Sequence, residues 1–394
     1  MPDYQRLSLL RDATAVVGVG DTDYYRDNVA VRAGAPPTDS YGYAASALRV
    51  ALDDSGLRLS DIDGLIAGPP LAVERLGEVL GLDTCWADHA DAASAVVKAA
   101  MALHAGLAEC VALVYGNDQR AAGTKYGGPS AVSTDKHLAY RYFAPWGLTS
   151  QGALYALMAN AYMANHGLSE AELGGYVVAQ RQYAQLNPNA VLQRPLSLQD
   201  YLAAPTICDP LRRHDYCLIN DGGVALIMTT TERAATLDAR PVIVRGIGRS
   251  DQNARSTSLA PRLLDFYLPS HRQAASQVYE MAGIGPQDVG VVQIYDSFSI
   301  HVPVALDGFG FCPPGDPGAL VREGALGPGR RLAVNTSGGH LAESYMQGWN
   351  LHVEAVRQTR GDAGDRQVPD ARHTQFISDV AGKTMSIVYA GATA

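Results

Sequence analysis

The chain has 394 residues, 47% of them hydrophobic, and a formal net charge of −9. That length and apolar content bury a large core and exceed one simple domain, so two domains or two fused halves are expected. The acidic balance, with no basic stretch to offset it, excludes nucleic acid and anionic membrane surfaces as the main partner. The opening Met1-Pro2-Asp3-Tyr4-Gln5-Arg6 runs into Leu7-Ser8-Leu9-Leu10 and then Arg11-Asp12, without the apolar stretch and cleavage site of a secretory signal. No apolar run is long enough to span a bilayer. The five cysteines, Cys85, Cys110, Cys208, Cys217 and Cys312, are widely spread and form no CxxC pair. A reduced, cytoplasmic, metal-free protein is the expectation.

In chain order, strands are predicted at 14–19, 62–67, 110–115 and 223–229, with helices at 41–55 and 93–105 between them. The apolar stripe of 93–105 is interrupted only by Lys98, which predicts a buried helix. Residues 117–215 read as an insertion with amphipathic helices near 151–166 and 169–185, the second ended by Asn187-Pro188-Asn189. Strands follow at 241–246, 288–294, 331–334, 373–378 and 384–390, with helices near 269–282 and 350–360. The strand at 110–115 is the candidate for a dimer-forming edge.

Two local patterns recur at a fixed spacing. Ala15-Val16-Val17 ends in Gly18-Val19-Gly20 with Asp23, and Val242-Ile243-Val244 ends in Gly246-Ile247-Gly248 with Asp251. Gly56-Leu57 precedes Asp61-Ile62 and Leu65-Ile66, as Gly283-Ile284 precedes Asp288-Val289 and Val291-Val292. The offsets are 228 (18 to 246) and 227 (56 to 283). Glycine after a strand explains either match alone, but not the common offset, so a duplicated α/β unit is expected.

Chemistry concentrates in two stretches. Asn335-Thr336-Ser337-Gly338-Gly339-His340 leads through Tyr345 and Gly348 into a helix, where backbone N–H groups and the helix dipole favour negative charge. Tyr295-Asp296-Ser297-Phe298 is the other. These stretches, with Asp209-Pro210-Leu211 and Asn220-Asp221-Gly222-Gly223-Val224-Ala225, follow the order of landmarks in one family. The chain resembles the thiolase superfamily, and within it the lipid-transfer-protein or sterol-carrier-protein-like thiolases. The resemblance implies an α/β thiolase fold, with duplicated βαβαβαββ halves in an αβαβα layered arrangement and a helical loop-domain insertion. The boundaries would be 1–116 with 216–236 for the N-terminal half, 117–215 for the insertion and 237–394 for the C-terminal half.

Departures from the family carry the functional reading. Asp88-His89-Ala90-Asp91-Ala92-Ala93-Ser94-Ala95, where the nucleophilic cysteine would open its helix, contains no cysteine. Cys85 lies about a turn too early and reads as a core thiol. The second catalytic cysteine is matched by Asp379-Val380-Ala381-Gly382, and the two family histidines fall on Tyr295 and Tyr345. Acyl transfer through a covalent thioester has no recognisable means here. The pattern resembles the thiolase-like aldolases that shorten steroid side chains together with an OB-fold partner. By that resemblance the chain is a lyase: a retro-aldolase that cleaves a β-hydroxyacyl-CoA, of steroid type, to a ketone and a shorter acyl-CoA. It would use no cofactor beyond the coenzyme A of its substrate. It would form a homodimer and, with the OB-fold protein, a heterotetramer.

The catalytic set implied is Tyr295, Tyr345, His340 and Asp296, and the substrate and oxyanion set is Ser337, Gly338, Gly339 and His89. A phenol ionises near about 10, so a tyrosine base needs N–H donors or a cation beside it. Tyr345 is assigned as base, because its loop opens a helix, and Tyr295 as proton donor; the reverse assignment fits the residues as well. Asp296 either orients its neighbour or caps the next helix. Arg212 and Arg213 either meet CoA phosphates or form a solvated turn. Two other readings stand beside the lyase. One is acyl transfer or C–C bond formation of the thiolase kind, with Cys85 or an unidentified residue as nucleophile; the other is a non-catalytic subunit scaffolding a partner.

Overall fold

Alternating apolar runs punctuated by glycine fold here into one continuous ten-stranded sheet system. The computed structural model describes residues 8–36, 38–124, 144–148, 150–251, 256–257, 260–261, 268–380 and 383–392. Residues 125–143 of the expected insertion, and Ala381 and Gly382 of the Asp379-Val380-Ala381-Gly382 motif, lie outside the described residues.

The strands are β1 (Thr14–Asp21), β2 (Gly64–Ala67), β3 (Trp86–His89), β4 (Cys110–Asn117), β5 (Gly222–Thr230), β6 (Val242–Asp251), β7 (Val291–Ile294), β8 (Ala333–Val334), β9 (His373–Val380) and β10 (Lys383–Gly391). Their order across the sheet is β8-β7-β9-β10-β6-β1-β5-β4-β2-β3. Each half therefore repeats the other: β2 runs parallel to β3 and β4 as β7 does to β8 and β9, and the remaining pairs are antiparallel. The halves meet where β1 pairs with β6 through Ala15↔Ile243 and Val16↔Val242. The offset read from the sequence is the offset of the strands, 14 to 242 for β1 and β6 and 64 to 291 for β2 and β7.

The repeated glycines have a packing reason. Helix α1 (Ser40–Ser55) lies directly on β1, and a Cβ at Gly18 would stand 2.8 Å from Ser55 Cβ. Helix α5 (Leu268–Ala282) lies likewise on β6, where a Cβ at Gly246 would stand 2.7 Å from the Val278 carbonyl oxygen. Helix α2 (Ala92–His104) and helix α7 (Trp349–Arg360) share one apolar cluster with residues of β1, β4, β5, β6 and β10 and fill the space between the halves. Separate clusters join α1 to the N-terminal strands and α5 to the C-terminal ones, which gives the layers αβαβα. Between β4 and β5 lie α3 (Gln151–His166) and α4 (Glu170–Ala184). In the C-terminal half, α6 (His301–Gly308) follows the loop after β7.

Two expectations are corrected. The strand at 110–117 is interior, flanked by β5 and β2, and the edge is β3. That strand was not foreseen because Trp86-Ala87-Asp88-His89 has no apolar alternation; its burial alternates only between intermediate and exposed. Cys85 is exposed, its thiol donating to the carbonyls of Asp63 and Leu107, rather than a core residue. Among the described residues no helix is long and apolar enough to cross a membrane.

Candidate active site

The parallel strands β7 and β8 end side by side, and the loops that leave their C-terminal ends carry the two tyrosines, as open α/β sheets place their ligand sites. Asn335 sits at φ +48° at the end of β8 and pairs with β7 through its side chain, accepting from Ile294 N (2.6 Å) and donating to Ile294 O (3.0 Å). The chain then turns through Gly338 (φ +106°) and Gly339 (φ +61°), a left-handed pair that residues with side chains adopt only under strain. A Cβ at Gly339 would collide with Asp296.

These loops bring Tyr295 and Tyr345 together, hydroxyl to hydroxyl at 2.9 Å. Each is 8% exposed, so the pair is largely shielded from solvent. His340 stands edge-on against both rings, with centroids 4.8 Å from Tyr295 and 5.1 Å from Tyr345. Its Nε2 accepts from Gly348 N (2.9 Å), and its Nδ1 lies 3.3 Å from Asp296. Burial holds the imidazole down to about 3, so it is neutral and serves to hold the rings. Asp296 does cap a helix, but not the next one: it accepts from His340 N (2.8 Å) and Leu341 N (3.4 Å) in the turn Gly339–Ala342. Burial pushes its carboxyl well above the usual range.

The oxyanion set is placed differently from expectation. Ser337 Oγ donates to buried Glu343 (2.7 Å), Gly338 N donates to Asn335 O (2.8 Å), and Gly339 N points at Ser337 Oγ (3.4 Å). These donors are turned into the loop because the tight left-handed turn satisfies itself. His89 ends the exposed edge of β3, where its Nε2 accepts from Val73 N (3.4 Å), and does not join the tyrosines. Its helix does come close: a Cβ at Gly348 would lie 3.1 Å from Tyr295 Cδ2 and 3.3 Å from Ala92 Cβ, the first residue of α2. Asp91 caps that helix by accepting from Ser94 N and is paired with Lys383.

Three partners of the site were not foreseen. Asn220 accepts from Tyr345 N (2.9 Å) and donates to Ser344 Oγ (2.6 Å), so the Asn-Asp-Gly-Gly landmark fixes the second tyrosine. The chain just before it stitches both loops together, with Cys217 N donating to Ser297 O and Leu218 N to His340 O. The third is a buried cluster of His301, His271 and Asp379 behind Ser297.

Buried histidines set an acid limit on the fold. His340 and His352 are both held to about 3 by burial. As pH falls from about 6.5 toward 3, the unfolded chain takes up protons that the folded one refuses, and each imidazole removes about 2 kcal/mol by pH 5. Glu343, pushed to about 7 by burial, acts the opposite way: its contribution is present below about 4.5 and lost as pH rises through 7. Urea midpoints near pH 7.5 and pH 5 read this out. His352→Gln is expected to lose less on acidification than the parent, and equal losses would remove the histidine from the account.

Beside the loops opens a cleft of about 1050 Å³ lined by Arg32, Arg120, Arg181, Arg213, Leu218 and Leu341, among others. Arg213 belongs to this lining, whereas Arg212 is paired with Glu170 at 2.6 Å. Arg181 is 6% exposed, and among the described residues its Nε has no hydrogen-bond partner.

A layered, duplicated fold with loops meeting at the ends of β7 and β8 defines a thiolase-type protein. A family profile described as "Thiolase C-terminal domain-like" matches residues 253–389. The steroid side-chain-cleaving aldolase of Thermomonospora curvata is 31% identical over 371 residues, covering 90% of this chain and 92% of that one. The 17-hydroxy-3-oxo-4-pregnene-20-carboxyl-CoA lyase of Mycobacterium tuberculosis is also 31% identical over 371 residues, covering 90% and 93%. The solved structure of an Ltp2-ChsH2(DUF35) aldolase superposes with a TM-score of 0.85 at 28% identity, covering 97% of this chain and 99% of that one. A monomeric SCP2-thiolase-like protein from Mycobacterium smegmatis, at 20% identity and a TM-score of 0.67, covers 96% and 77% and shares the fold. The chain belongs to the thiolase-fold aldolases, an enzyme family of carbon–carbon lyases.

Proposed function

We propose that this chain cleaves the side chain of a steroid-type β-hydroxyacyl-CoA by a retro-aldol reaction at Tyr295 and Tyr345. One phenolate takes the proton of the substrate hydroxyl. The C–C bond then breaks, its electron pair passes into the thioester enolate, and a ketone departs. The other phenol protonates the enolate carbon, which yields the shorter acyl-CoA. After one turnover the proton sits on the wrong tyrosine, and the 2.9 Å hydrogen bond between the hydroxyls gives it a direct way back. That bond is the observation that carries the reading.

The arginine-lined cleft supports a CoA thioester. In a chain of net charge −9, five arginines, Arg32, Arg120, Arg181, Arg194 and Arg213, line one concavity, and guanidinium groups suit phosphate oxygens. The structural relative is a complex with a DUF35 protein, and we propose a partner of that kind for this chain, on a homodimer. Roles for Ser337, Gly338, Gly339 and His89 are confined to building the loop and the edge around the pair.

The test is to purify the chain with a DUF35-type partner and incubate it with a 17-hydroxy-steroid side-chain CoA thioester, following ketone and short acyl-CoA by chromatography. Equimolar release of both is expected. Release of free CoA without ketone would favour acyl transfer, and no turnover of any acyl-CoA would favour a scaffold.

A further inference from the structure

The place of the second family cysteine is taken by Asp379, and its carboxylate is not turned toward substrate. It is 1% exposed at the end of β9 and is gripped from two helices: His301 Nδ1 of α6 lies 2.7 Å from Oδ1, and His271 Nε2 of α5 lies 3.1 Å from Oδ2. Burial would push this carboxyl up, but the two imidazoles outweigh it and hold it below the ordinary range. A buried carboxylate needs partners at both oxygens, and here an imidazole nitrogen stands at each.

The other ring nitrogen of His301 points the opposite way. Nε2 is 3.1 Å from Ser297 Oγ, and Ser297 lies two residues beyond Tyr295 in the same loop. The His301 ring stands edge-on to Tyr295, with centroids 6.1 Å apart at 84°, and also packs on Tyr155 of α3 at 4.7 Å. The remaining titratable groups around Tyr295 are His340, held neutral by burial, Asp296, whose carboxyl burial drives upward, and Tyr345 itself. Asp215 approaches from the linking segment through Ser299 (2.6 Å), and burial raises its carboxyl too. With the carboxylate on the far side of His301, the imidazole is the member of the cluster presented to Tyr295.

We propose that His301, Asp379 and His271 form a positioning cluster behind the tyrosine pair. It anchors the 295–298 loop through Ser297 and presents the His301 imidazole, backed by the Asp379 carboxylate, to Tyr295, which makes Tyr295 the proton-accepting member. The inference rests on the retro-aldol reading and deepens it by making Tyr295, rather than Tyr345, the base. None of the three residues touches substrate; they act through Tyr295.

The experiment uses the chain in complex with its DUF35-type partner and compares the parent with Asp379→Asn, His301→Gln and the milder Ser297→Ala. For the first two, kcat near neutral pH is expected to fall about tenfold or more while KM stays within about threefold. The acid limb of the kcat/KM profile should move up by about one pH unit. A second readout needs no turnover: ultraviolet titration of tyrosinate in the parent minus that in Tyr295→Phe isolates the ionisation of Tyr295. That ionisation should move to higher pH in Asp379→Asn and in His301→Gln, with Ser297→Ala shifting it less. An unchanged Tyr295 ionisation in the folded variants overturns the proposal, as does a loss of kcat with no movement of the acid limb. If the parent itself shows no retro-aldol turnover, the reaction assignment fails instead, and the tyrosinate titration still decides the cluster.

Discussion

Tyr345→Phe is expected to lower kcat for ketone release by about 10²- to 10⁴-fold, the range lost when a positioned acid or base is removed. The fold should barely notice, because the ring keeps its packing against His340 and only one hydroxyl leaves a 2.9 Å bond, a loss of about 1 kcal/mol. Tyr295→Phe should behave similarly, since either deletion breaks the route by which the proton returns. Cys85→Ala is the contrast. Its exposed thiol faces the backbone carbonyls of Asp63 and Leu107, away from the tyrosine pair, so full turnover is expected to survive. Stopped-time assays on the purified complex measure all three. A Tyr345→Phe enzyme keeping more than about a tenth of parental turnover would end the role given to that hydroxyl.

The largest stability effect is expected at Glu354, on α7 beneath the Asn335–Gly339 turn. Its carboxylate, 1% exposed, accepts from Arg366 Nε (3.1 Å) and Nη2 (2.8 Å), from Gln358 Nε2 (2.9 Å) and from Thr336 Oγ1 (2.7 Å). Thr336 in turn accepts from Gln293 of β7, so the same carboxylate ties α7 to both strands that carry the site. Glu354→Ala leaves the Arg366 guanidinium buried and unpaired, a loss of about 3–5 kcal/mol. Chemical denaturation should show this as a fall in midpoint, and turnover should fall with it because the turn loses its footing. A variant with parental stability would mean that Arg366 finds another partner.

Much of the architecture was legible because duplication writes itself into spacing. The Gly18 and Gly246 patterns mark the same strand–helix contact in both halves, and a contact that tolerates no side chain leaves a glycine wherever it recurs. Strand β3 was not legible: its residues alternate between half-buried and exposed, and its place is set by pairing with β2, not by its own composition. The tyrosines emerged only through resemblance, since nothing in the local sequence around Tyr295 or Tyr345 separates them from 18 other tyrosines, the 20 in the chain less these two. Their meeting depends on adjacent strands ending together. His301 was silent for a related reason. Asp379 was visible as a replacement for sulfur, but its bond partner lies 78 residues away, a pairing that only the crossing of β9 and α6 creates. That Gly338 N and Ser337 Oγ pair within their own loop was not legible either, because a tight glycine turn is closed by partners that only the folded loop brings together.

The symmetry of the two halves also bears on how many reactions one molecule can host. The position matching Tyr295 in the first half, by the 227-residue offset, is Gly68. A methyl group there would press within 2.7 Å of the Trp349 indole and 2.8 Å of Tyr115, two rings stacked 5.8 Å apart. An aromatic plug thus occupies the twin of the working loop. The ancestral repeat has become one furnished room and one bricked-up doorway, and engineering a second reaction centre into the same chain would first require clearing that stack.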